Sequence, residues 1–247
     1  MEILGIDIGG TGIKGAIVDV NTGKLKSKRH RIHTPKPSTP EAITNTIQEL
    51  VDHFNWKGKV GCGFPALLRH GKCLMVGNLH KSLKNVQLDE LFKSKIGNDF
   101  SIINDADAAG LAEINFGAGK GKMGLVAMFT LGTGIGSGLF LDGKLLPSSE
   151  LGHIFYKNGK IYEKYAADSA RKRENLTRKE WGKRLHEYFS HIKLILSPDL
   201  IIIGGGASKK LDKFIQYINV DIPIVAAEAE NNAGIIGAAL SAKSDKS

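Results

Sequence analysis

A tetrapeptide with two glycines occurs twice in this chain of 247 residues, and it constrains the fold more than any other feature. Gly10-Thr11-Gly12-Ile13 recurs as Gly132-Thr133-Gly134-Ile135, and a Gly-Lys-Leu turn follows each copy, at 23–25 and 143–145. Residues typical of β-strands flank both copies, so the same order of elements surrounds them. Self-similarity of this kind indicates an internal duplication. We therefore expect two related lobes that present two glycine loops to one cleft.

Composition places the chain among soluble globular proteins. Hydrophobic residues make up 42% and charged residues 24%, which is enough to bury a core and excludes a disordered chain. The stretch 123–141 is uncharged, but its glycines and hydroxyl residues predict two strands around a turn rather than a bilayer span. No secretory signal is visible at the N-terminus. The two cysteines, Cys62 and Cys73, are expected to be buried thiols of a cytoplasmic protein without a membrane partner.

Hydrophobic periodicity predicts an α/β order of elements. The strands expected from it are 3–8, 13–20, 60–64, 100–103 and 199–203, and the helices are 40–54, 105–114 and 231–242. We assign residues 1–106 to the first lobe, on which a terminal helix at about 231–247 can pack back, and residues 107–247 to the second.

Two pairs of residues have the spacing of a helix capping box. Ser38 with Glu41 precedes the helix at 40–54, and Thr177 with Glu180 precedes a further helix. The apolar face of that second helix is predicted to run from Trp181 to Ile195 at helical spacing.

Each glycine loop lets backbone N–H groups approach an anion, because no Cβ obstructs them and positive φ is accessible. Each loop alone is equally consistent with a tight hairpin turn. Neither has the Walker pattern, since Lys14 and Lys144 are not followed by Ser or Thr. A hydroxyl in each loop, at Thr11 and Thr133, favours phosphate binding. Asp7, just ahead of the first loop, can hold a hydrated magnesium ion directly or through water.

The segment 104–107, Asn-Asp-Ala-Asp, follows a strand and begins a helix, so its side chains project from the carboxyl edge of a sheet. Two roles are open for Asp105. It can be a helix N-cap, a role that Asp107 fits better, or it can accept a proton from a substrate hydroxyl.

Glu150 and His153 place two polar groups three residues apart beside a glycine, and Glu163 follows further along the chain. Together they can bind several hydroxyls at once. His153 alone is equally consistent with a structural histidine or a metal ligand, although other ligands for a metal are lacking nearby.

Positive charge is concentrated in two segments. The formal net charge is +9; residues 24–36 contain six Lys or Arg and no acid, and residues 157–184 contain ten against four acids. One interpretation is a polyanionic partner, and the other is solvated faces of an edge strand and two helices. No recognised nucleic-acid module accompanies the segments, so we do not expect nucleic acid as a partner.

Five motifs together resemble the ROK (repressor, open reading frame, kinase) family of sugar kinases. They are DIGGTGIKG at 7–15, NDADAAG at 104–110, LGTGIGSG at 131–138, ELGH at 150–153 and the GGG loop at 204–206. Their order and spacing cover nearly the whole chain. The resemblance implies an α/β protein of the actin-like ATPase (ribonuclease H-like) fold, with two duplicated lobes around a central cleft. The proline connector at 34–42 and the short length are most similar to the family's polyphosphate-using glucose kinases.

The resemblance implies a hexokinase-type transfer of a phosphoryl group to glucose, from inorganic polyphosphate, ATP or both, by a homodimer that uses Mg²⁺. Asp105 is implied to be the base that activates the sugar 6-hydroxyl, and Asp7 to assist the Mg²⁺. The other residues implied to bind the hexose are Asn78, Asn104, Glu150, His153 and Glu163. Those implied to bind the phosphate donor are Asp7, Gly9, Gly10, Thr11, Gly12, Lys14, Gly132, Thr133, Gly134, Gly204, Gly205 and Gly206.

One departure from the family pattern concerns zinc. Many ROK kinases have a CxCGxxGCxE zinc motif just after the Gly-His pair, whereas residues 154–161 contain no cysteine. Zinc is therefore not expected, and the polyphosphate-using members share this loss. The segment YEKYA at 162–166 still matches the part that carries the sugar-binding glutamate. Packing alone is then left to hold the loop between His153 and Glu163.

Alternative functions are a strictly ATP-dependent gluco- or mannokinase and a non-catalytic sugar-sensing ROK protein. The family's regulators have an additional N-terminal helix-turn-helix, for which a first strand beginning at about residue 2 leaves no room. An actin-like filament or scaffold would not need Glu150, His153 and Glu163.

Overall fold

A computed structural model describes residues 1–77 and 79–243, which form two compact units. The first unit is Met1–Ala112 together with the segment from Asn231 onward, and the second is Glu113–Glu230. Among the described residues, no helix combines the length and the apolar character that crossing a bilayer requires.

The structure contains the strands and helices that the periodicity predicts, together with short elements that it does not. The strands are β1 (Glu2–Ile8), β2 (Ile13–Asp19), β3 (Lys24–Leu25), β4 (His30–Ile32), β5 (Val60–Phe64), β6 (Ala66–Arg69), β7 (Lys72–Val76), β8 (Phe100–Asn104), β9 (Leu125–Leu131), β10 (Ile135–Leu141), β11 (Lys144–Leu146), β12 (Leu200–Gly204) and β13 (Ile224–Ala226). The helices are α1 (Pro40–His53), α2 (Leu88–Ile96), α3 (Asp105–Phe116), α4 (Tyr162–Ala166), α5 (Asp168–Arg173), α6 (Arg178–Leu196) and α7 (Ala233–Ser241). The uncharged stretch 123–141 is the hairpin β9-β10, as predicted.

The first unit contains a sheet with the order β3-β2-β1-β5-β8, and β4 also pairs with β2. β1 is antiparallel to β2, whereas β1, β5 and β8 are mutually parallel neighbours. The carboxyl ends of β1 and β8 therefore meet one edge of the sheet. Asp7 and Asn104 lie at this edge, two strand spacings or roughly 10 Å apart.

The second unit repeats this topology with the order β11-β10-β9-β12-β13. Its hairpin β9-β10 corresponds to β1-β2, and β12 and β13 add in parallel as β5 and β8 do. α6 packs on this sheet, and Trp181, Tyr188 and Phe189 are fully buried with Phe129 of β9. The shared strand order supports the duplication that the repeated tetrapeptide predicts.

Close backbone contacts attach α7 to the first unit. A Cβ added to Gly61 of β5 would lie 1.7 Å from the Ala238 carbonyl oxygen, and one added to Gly237 would lie 1.6 Å from the Ala108 carbonyl oxygen. These contacts join α7 to β5 and α3 within the first unit, which comprises the chain up to Ala112 and the segment from Asn231 onward.

Two local expectations differ from the structure. Thr39 is the N-cap of α1 and accepts a hydrogen bond from the Ala42 N–H at 3.3 Å, whereas the Ser38 hydroxyl accepts one from the His80 N–H at 3.0 Å. Tertiary contact thus diverts Ser38 from the predicted capping box. Ile195 is 52% exposed instead of continuing the buried face of α6. The capping box of Thr177 and Glu180 is confirmed.

Candidate active site

The residues that the sequence assigns to one site are distributed over both units. The first unit contains the loop at 9–12 and the junction of β8 and α3, and the second contains the loop at 132–134, the GGG loop and the segment 150–163. Asn78 lies outside the described residues, so its assignment to the hexose stays a prediction.

The first glycine loop joins β1 to β2 and is fixed by contacts from neighbouring segments. The Gly9 N–H donates to the Gly12 carbonyl at 3.1 Å, and the Thr34 hydroxyl donates to the Gly9 carbonyl at 2.5 Å. The Arg31 guanidinium donates to the Thr11 carbonyl at 3.0 Å. A Cβ at Gly12 would lie 2.4 Å from Arg31 Nε, so the guanidinium can lie against the loop only beside a glycine. The loop is thus preorganised by its surroundings.

A row of three charged residues lies beside this loop. The strand register places Asp7 of β1 opposite Lys14 of β2, and Lys14 opposite Arg31 of β4. Directly opposite residues of antiparallel strands share a face. Lys14 Nζ lies 3.2 Å from Asp7 Oδ2. Two cations and one carboxylate give the row a positive charge, which suits an anionic ligand. Arg31 was missed as an individual residue, although it belongs to the basic segment 24–36.

Asn104 rather than Asp105 or Asp107 caps α3. The buried Asn104 side chain accepts hydrogen bonds from the N–H groups of Ala106 at 2.9 Å and Asp107 at 3.1 Å. Its Nδ2 donates to the Ala66 carbonyl at 3.1 Å, which uses one of its two N–H groups. Asp105 is half-buried, and its Oδ1 accepts from the Ala106 N–H at 2.9 Å. Asn104 thus supplies the cap of α3, and the proton-accepting role of Asp105 stays a prediction.

The second glycine loop joins β9 to β10 and is tied to α5. The Gly132 N–H donates to the Gly134 carbonyl at 3.0 Å, so this loop is also closed by a hydrogen bond within its own backbone. The Ser169 hydroxyl donates to the Thr133 carbonyl at 2.6 Å, and the Ser169 N–H donates to the Gly132 carbonyl at 3.0 Å. Ser169 is a supporting residue that no motif had indicated.

Glu163 is brought directly against this second loop. Its Oε2 accepts a hydrogen bond from the Ile135 N–H at 3.2 Å, and a Cβ at Gly134 would lie 2.3 Å from the same oxygen. Oε1 lies 3.2 Å from Lys164 Nζ. The second unit therefore joins a candidate sugar-binding carboxylate to a candidate phosphate loop.

Glu150 and His153 form a second polar pair in this unit, with Glu150 Oε2 3.6 Å from His153 Nδ1. Both side chains are partly exposed and can reach a ligand. Burial raises the pKa of Glu150; His153 opposes this effect, and the charge of Glu163 adds to it. Glu163 is therefore near enough to Glu150 for its charge to act on that carboxyl.

Ser137, another residue that sequence reasoning missed, fixes the segment that carries Glu150. Its buried hydroxyl donates to the Ser149 carbonyl at 2.8 Å and accepts from the Leu151 N–H at 2.9 Å. Gly152 follows at a position where a Cβ would lie 2.3 Å from the Ile135 carbonyl oxygen. The motif LGTGIGSG contains Ser137, so the signal was present, but its partner could not be read from the sequence.

A basic cavity of about 470 Å³ opens beside the second loop. The residues that line it are Leu131, Gly132, Thr133, Asp168, Ser169, Arg171, Lys172, Arg178, Gly206, Ala207 and Lys210. Asp168 pairs with Arg171 at 2.7 Å and with Lys172 at 2.8 Å. Burial acts to raise the pKa of Asp168, but these two ion pairs outweigh it and lower the pKa. Four cations against one carboxylate make the cavity suitable for a polyanion.

The GGG loop forms part of this cavity. Gly204 ends β12 opposite Thr130. Gly205 has a φ of +72° and packs against the backbone of Leu131, where a Cβ would lie 3.0 Å from the carbonyl oxygen. Gly206 lines the cavity, and a Cβ there would meet open space. The loop thus lies beside Gly132 and Thr133, as its assignment to the donor requires.

The residues near the first loop suit Mg²⁺ better than a metal held entirely by protein. Across residues 1–77 and 79–243, no three His, Cys, Asp or Glu side chains are grouped to hold a metal. Mg²⁺ usually retains waters and takes one or two carboxylates plus substrate phosphates. Asp7 provides one such carboxylate, next to the Gly234 backbone in the first turn of α7.

Comparison with known proteins places the chain in a family. Residues 3–170 match the model of the ROK family, and the chain belongs to that family. It is 41% identical to the polyphosphate glucokinase of Mycobacterium tuberculosis, over 98% of this chain and 91% of that protein.

Solved structures support the same fold. The inorganic polyphosphate/ATP-glucomannokinase from Arthrobacter sp. strain KM superposes with a TM-score of 0.91 at 43% identity, over 97% of both chains. A ROK family glucokinase from Streptomyces griseus, solved with glucose and AMPPNP, gives a TM-score of 0.85 at 24% identity over 98% of this chain and 99% of that one. The actin-like ATPase fold is therefore confirmed.

Proposed function

We propose that this chain transfers a phosphoryl group from inorganic polyphosphate, and also from ATP, to the 6-hydroxyl of glucose. The observation that carries the proposal is the contact of Glu163 with the second glycine loop, which supports a sugar site next to a phosphate site. Near-full-length similarity to a polyphosphate glucokinase supports polyphosphate as the donor and glucose as the acceptor.

In the reaction that we propose, the glucose 6-hydroxyl oxygen attacks the terminal phosphorus of the donor. The new O–P bond forms as the bridging P–O bond breaks, the proton passes to the Asp105 carboxylate, and the shortened polyphosphate or ADP leaves. Asn104 positions Asp105 by capping α3. Glu150, His153 and Glu163 bind the sugar hydroxyls and orient the attacking oxygen.

The glycine loops and their cations bind the donor. In the proposed complex, backbone N–H groups of residues 10–12 and 133–134 bind phosphate oxygens, while Lys14 and Arg31 supply charge beside the first loop. Mg²⁺, held by Asp7 directly or through water, supplies charge neutralisation on the donor oxygens when it is bound.

We further propose that the chain acts as a cytoplasmic homodimer. The family resemblance supports the dimer, which light scattering on the purified protein tests. Cys62 and Cys73 are both free and buried, and burial raises the pKa of each thiol, as expected for unreactive cysteines of a reducing compartment.

The first test measures glucose 6-phosphate formation by the purified protein with Mg²⁺ and polyphosphate, ATP or no donor, with mannose as a second acceptor. Asp105→Asn is expected to keep the fold and lower kcat at least ~100-fold, because it removes the general base. Circular dichroism confirms folding of the variant. An unchanged rate would refute the role of Asp105, and product from ATP alone would leave a strictly ATP-dependent sugar kinase.

A further inference from the structure

The segment between His153 and Glu163 is a small hairpin. Phe155 and Ile161 form an antiparallel bridge, and the Tyr162 N–H donates to the Ile154 carbonyl at 3.0 Å. The turn is Asn158-Gly159, whose φ values of +59° and +71° are those that a two-residue hairpin turn favours. The hairpin lies in the segment where many ROK kinases have zinc-binding cysteines.

One carboxylate joins this hairpin to two other elements. Tyr156 of the hairpin stacks on Tyr165 of α4, with ring centroids 4.1 Å apart and an interplanar angle of 14°. Both hydroxyls donate to Glu187 of α6, Tyr156 to Oε2 at 3.0 Å and Tyr165 to Oε1 at 3.1 Å. The Arg184 guanidinium lies over the Tyr165 ring, 4.4 Å from its centroid. We call Tyr156, Tyr165 and Glu187 the tyrosine clamp.

The clamp holds the chain close to both predicted sugar ligands, His153 and Glu163. Tyr156 follows His153 by three residues, and Tyr165 follows Glu163 by two on the same short helix. Burial raises the pKa of Tyr165, and the Tyr156 hydroxyl and the Glu187 carboxylate raise it further, so the phenol stays protonated and donates. Because α6 is anchored by buried Trp181 and Tyr188, Glu187 is a fixed point for the hairpin.

We propose that the tyrosine clamp positions His153 and Glu163 for sugar binding, the task that a bound zinc ion would otherwise perform on this segment. Its three members are positioning residues, since they act through the two ligands at the ends of the hairpin. This inference rests on the proposed function, because it takes those two residues to bind the sugar. A metal fixes its ligands by coordination, whereas the clamp fixes the same backbone by two hydrogen bonds and a ring stack.

Three variants each weaken one part of the clamp without removing bulk: Tyr156→Phe, Tyr165→Phe and Glu187→Gln. We expect each to raise the KM for glucose about tenfold, while kcat and the KM for the phosphate donor change less than twofold. Titration calorimetry with glucose and no donor should show the same loss of affinity. The combination of Tyr156→Phe with Glu187→Gln should cost less than the two single effects together, because both break one interaction.

Tyr188→Phe is the matched control. Tyr188 contacts the same cluster with its ring 5.0 Å from that of Tyr162, but its buried hydroxyl has no hydrogen-bond partner among the described residues. The control should leave every constant unchanged. Equal changes in the constants for glucose and donor, or an unchanged glucose affinity with a lowered Tm, would overturn the proposal. Absence of glucose binding and turnover in the unaltered protein would instead overturn the proposed function.

Discussion

At the scale of single residues, the proposed sugar ligand Glu150 lies where its charge is expected to cost stability. Glu150 is a carboxylate kept in partly buried surroundings near Glu163, and these surroundings raise its pKa. Residues that bind ligands often lower the stability of the folded protein, because a binding site keeps charged groups without the partner that only the ligand supplies. This cost can be measured, since it depends on pH.

We predict that Glu150→Gln stabilises the protein at neutral pH and has less effect near pH 4. A raised pKa means that the folded chain holds the proton more tightly than the unfolded chain does. The free energy of unfolding therefore falls as pH rises from the ordinary glutamate pKa, 4.5, through the raised value. Urea unfolding at both pH values measures the effect, with Glu49→Gln on the exposed face of α1 as control. An identical gain at both pH values would contradict the assignment.

At the scale of elements, the sequence predicted the strands β1, β2, β5, β8, β9, β10 and β12 and the helices α1, α3, α6 and α7, whereas the remaining strands and helices were not predicted. β1, β5 and β12 are apolar runs bounded by polar or glycine residues, and the Thr177 capping box marks α6. Local signals worked there because the residues that determine the structure are neighbours in sequence. The capping-box prediction for Ser38 was wrong for the opposite reason, since its hydrogen-bond partner is the backbone N–H of His80, which is distant in sequence. The Asn158-Gly159 turn was a readable signal that was overlooked.

The same distinction between local and distant signals applies to the candidate site. The glycine loops, Asp105 and the Glu150 motif could be proposed from sequence, because each is part of a short motif. Ser137, Ser169 and Glu187 support those motifs through partners 12 to 36 residues away, and no local pattern specifies such partners.

The packing of α7 on the first sheet gives a prediction about one element. Gly61→Ala should destabilise the protein by about 3 kcal/mol or more, because its Cβ would lie 1.7 Å from the Ala238 carbonyl oxygen and only a backbone shift can relieve the clash. Gly63→Ala on the same strand is the control, since its Cβ would make ordinary contact at 3.5 Å with Ala108. Denaturant unfolding compares the two. A similar loss in both variants would mean that glycine is required there for another reason.

At the scale of the whole molecule, fewer basic side chains are free to bind an anion than the sequence count suggests. Within 157–184, the basic residues Arg171 and Lys172 pair with Asp168, and Arg173 and Arg184 pair with Glu174. The sequence alone therefore overestimates how much of this segment can bind a polyanion. Among the cations that line the cavity beside the second loop, Arg178 and Lys210 have no carboxylate within ion-pair distance in the described part of the chain.

These two cations should distinguish a long polyanion from a nucleotide. We predict that Arg178→Gln and Lys210→Gln each raise the KM for polyphosphate severalfold more than the KM for ATP, since a polymer neutralises more cations than a single triphosphate does. The difference should shrink as salt rises from 50 to 300 mM, because screening removes the contribution that the variants lack. Lys179→Gln, an exposed neighbour of Arg178 outside the cavity, is the control. Equal effects on both donors would place the polyphosphate chain elsewhere on the protein, with the segment 24–36 as the next surface to test.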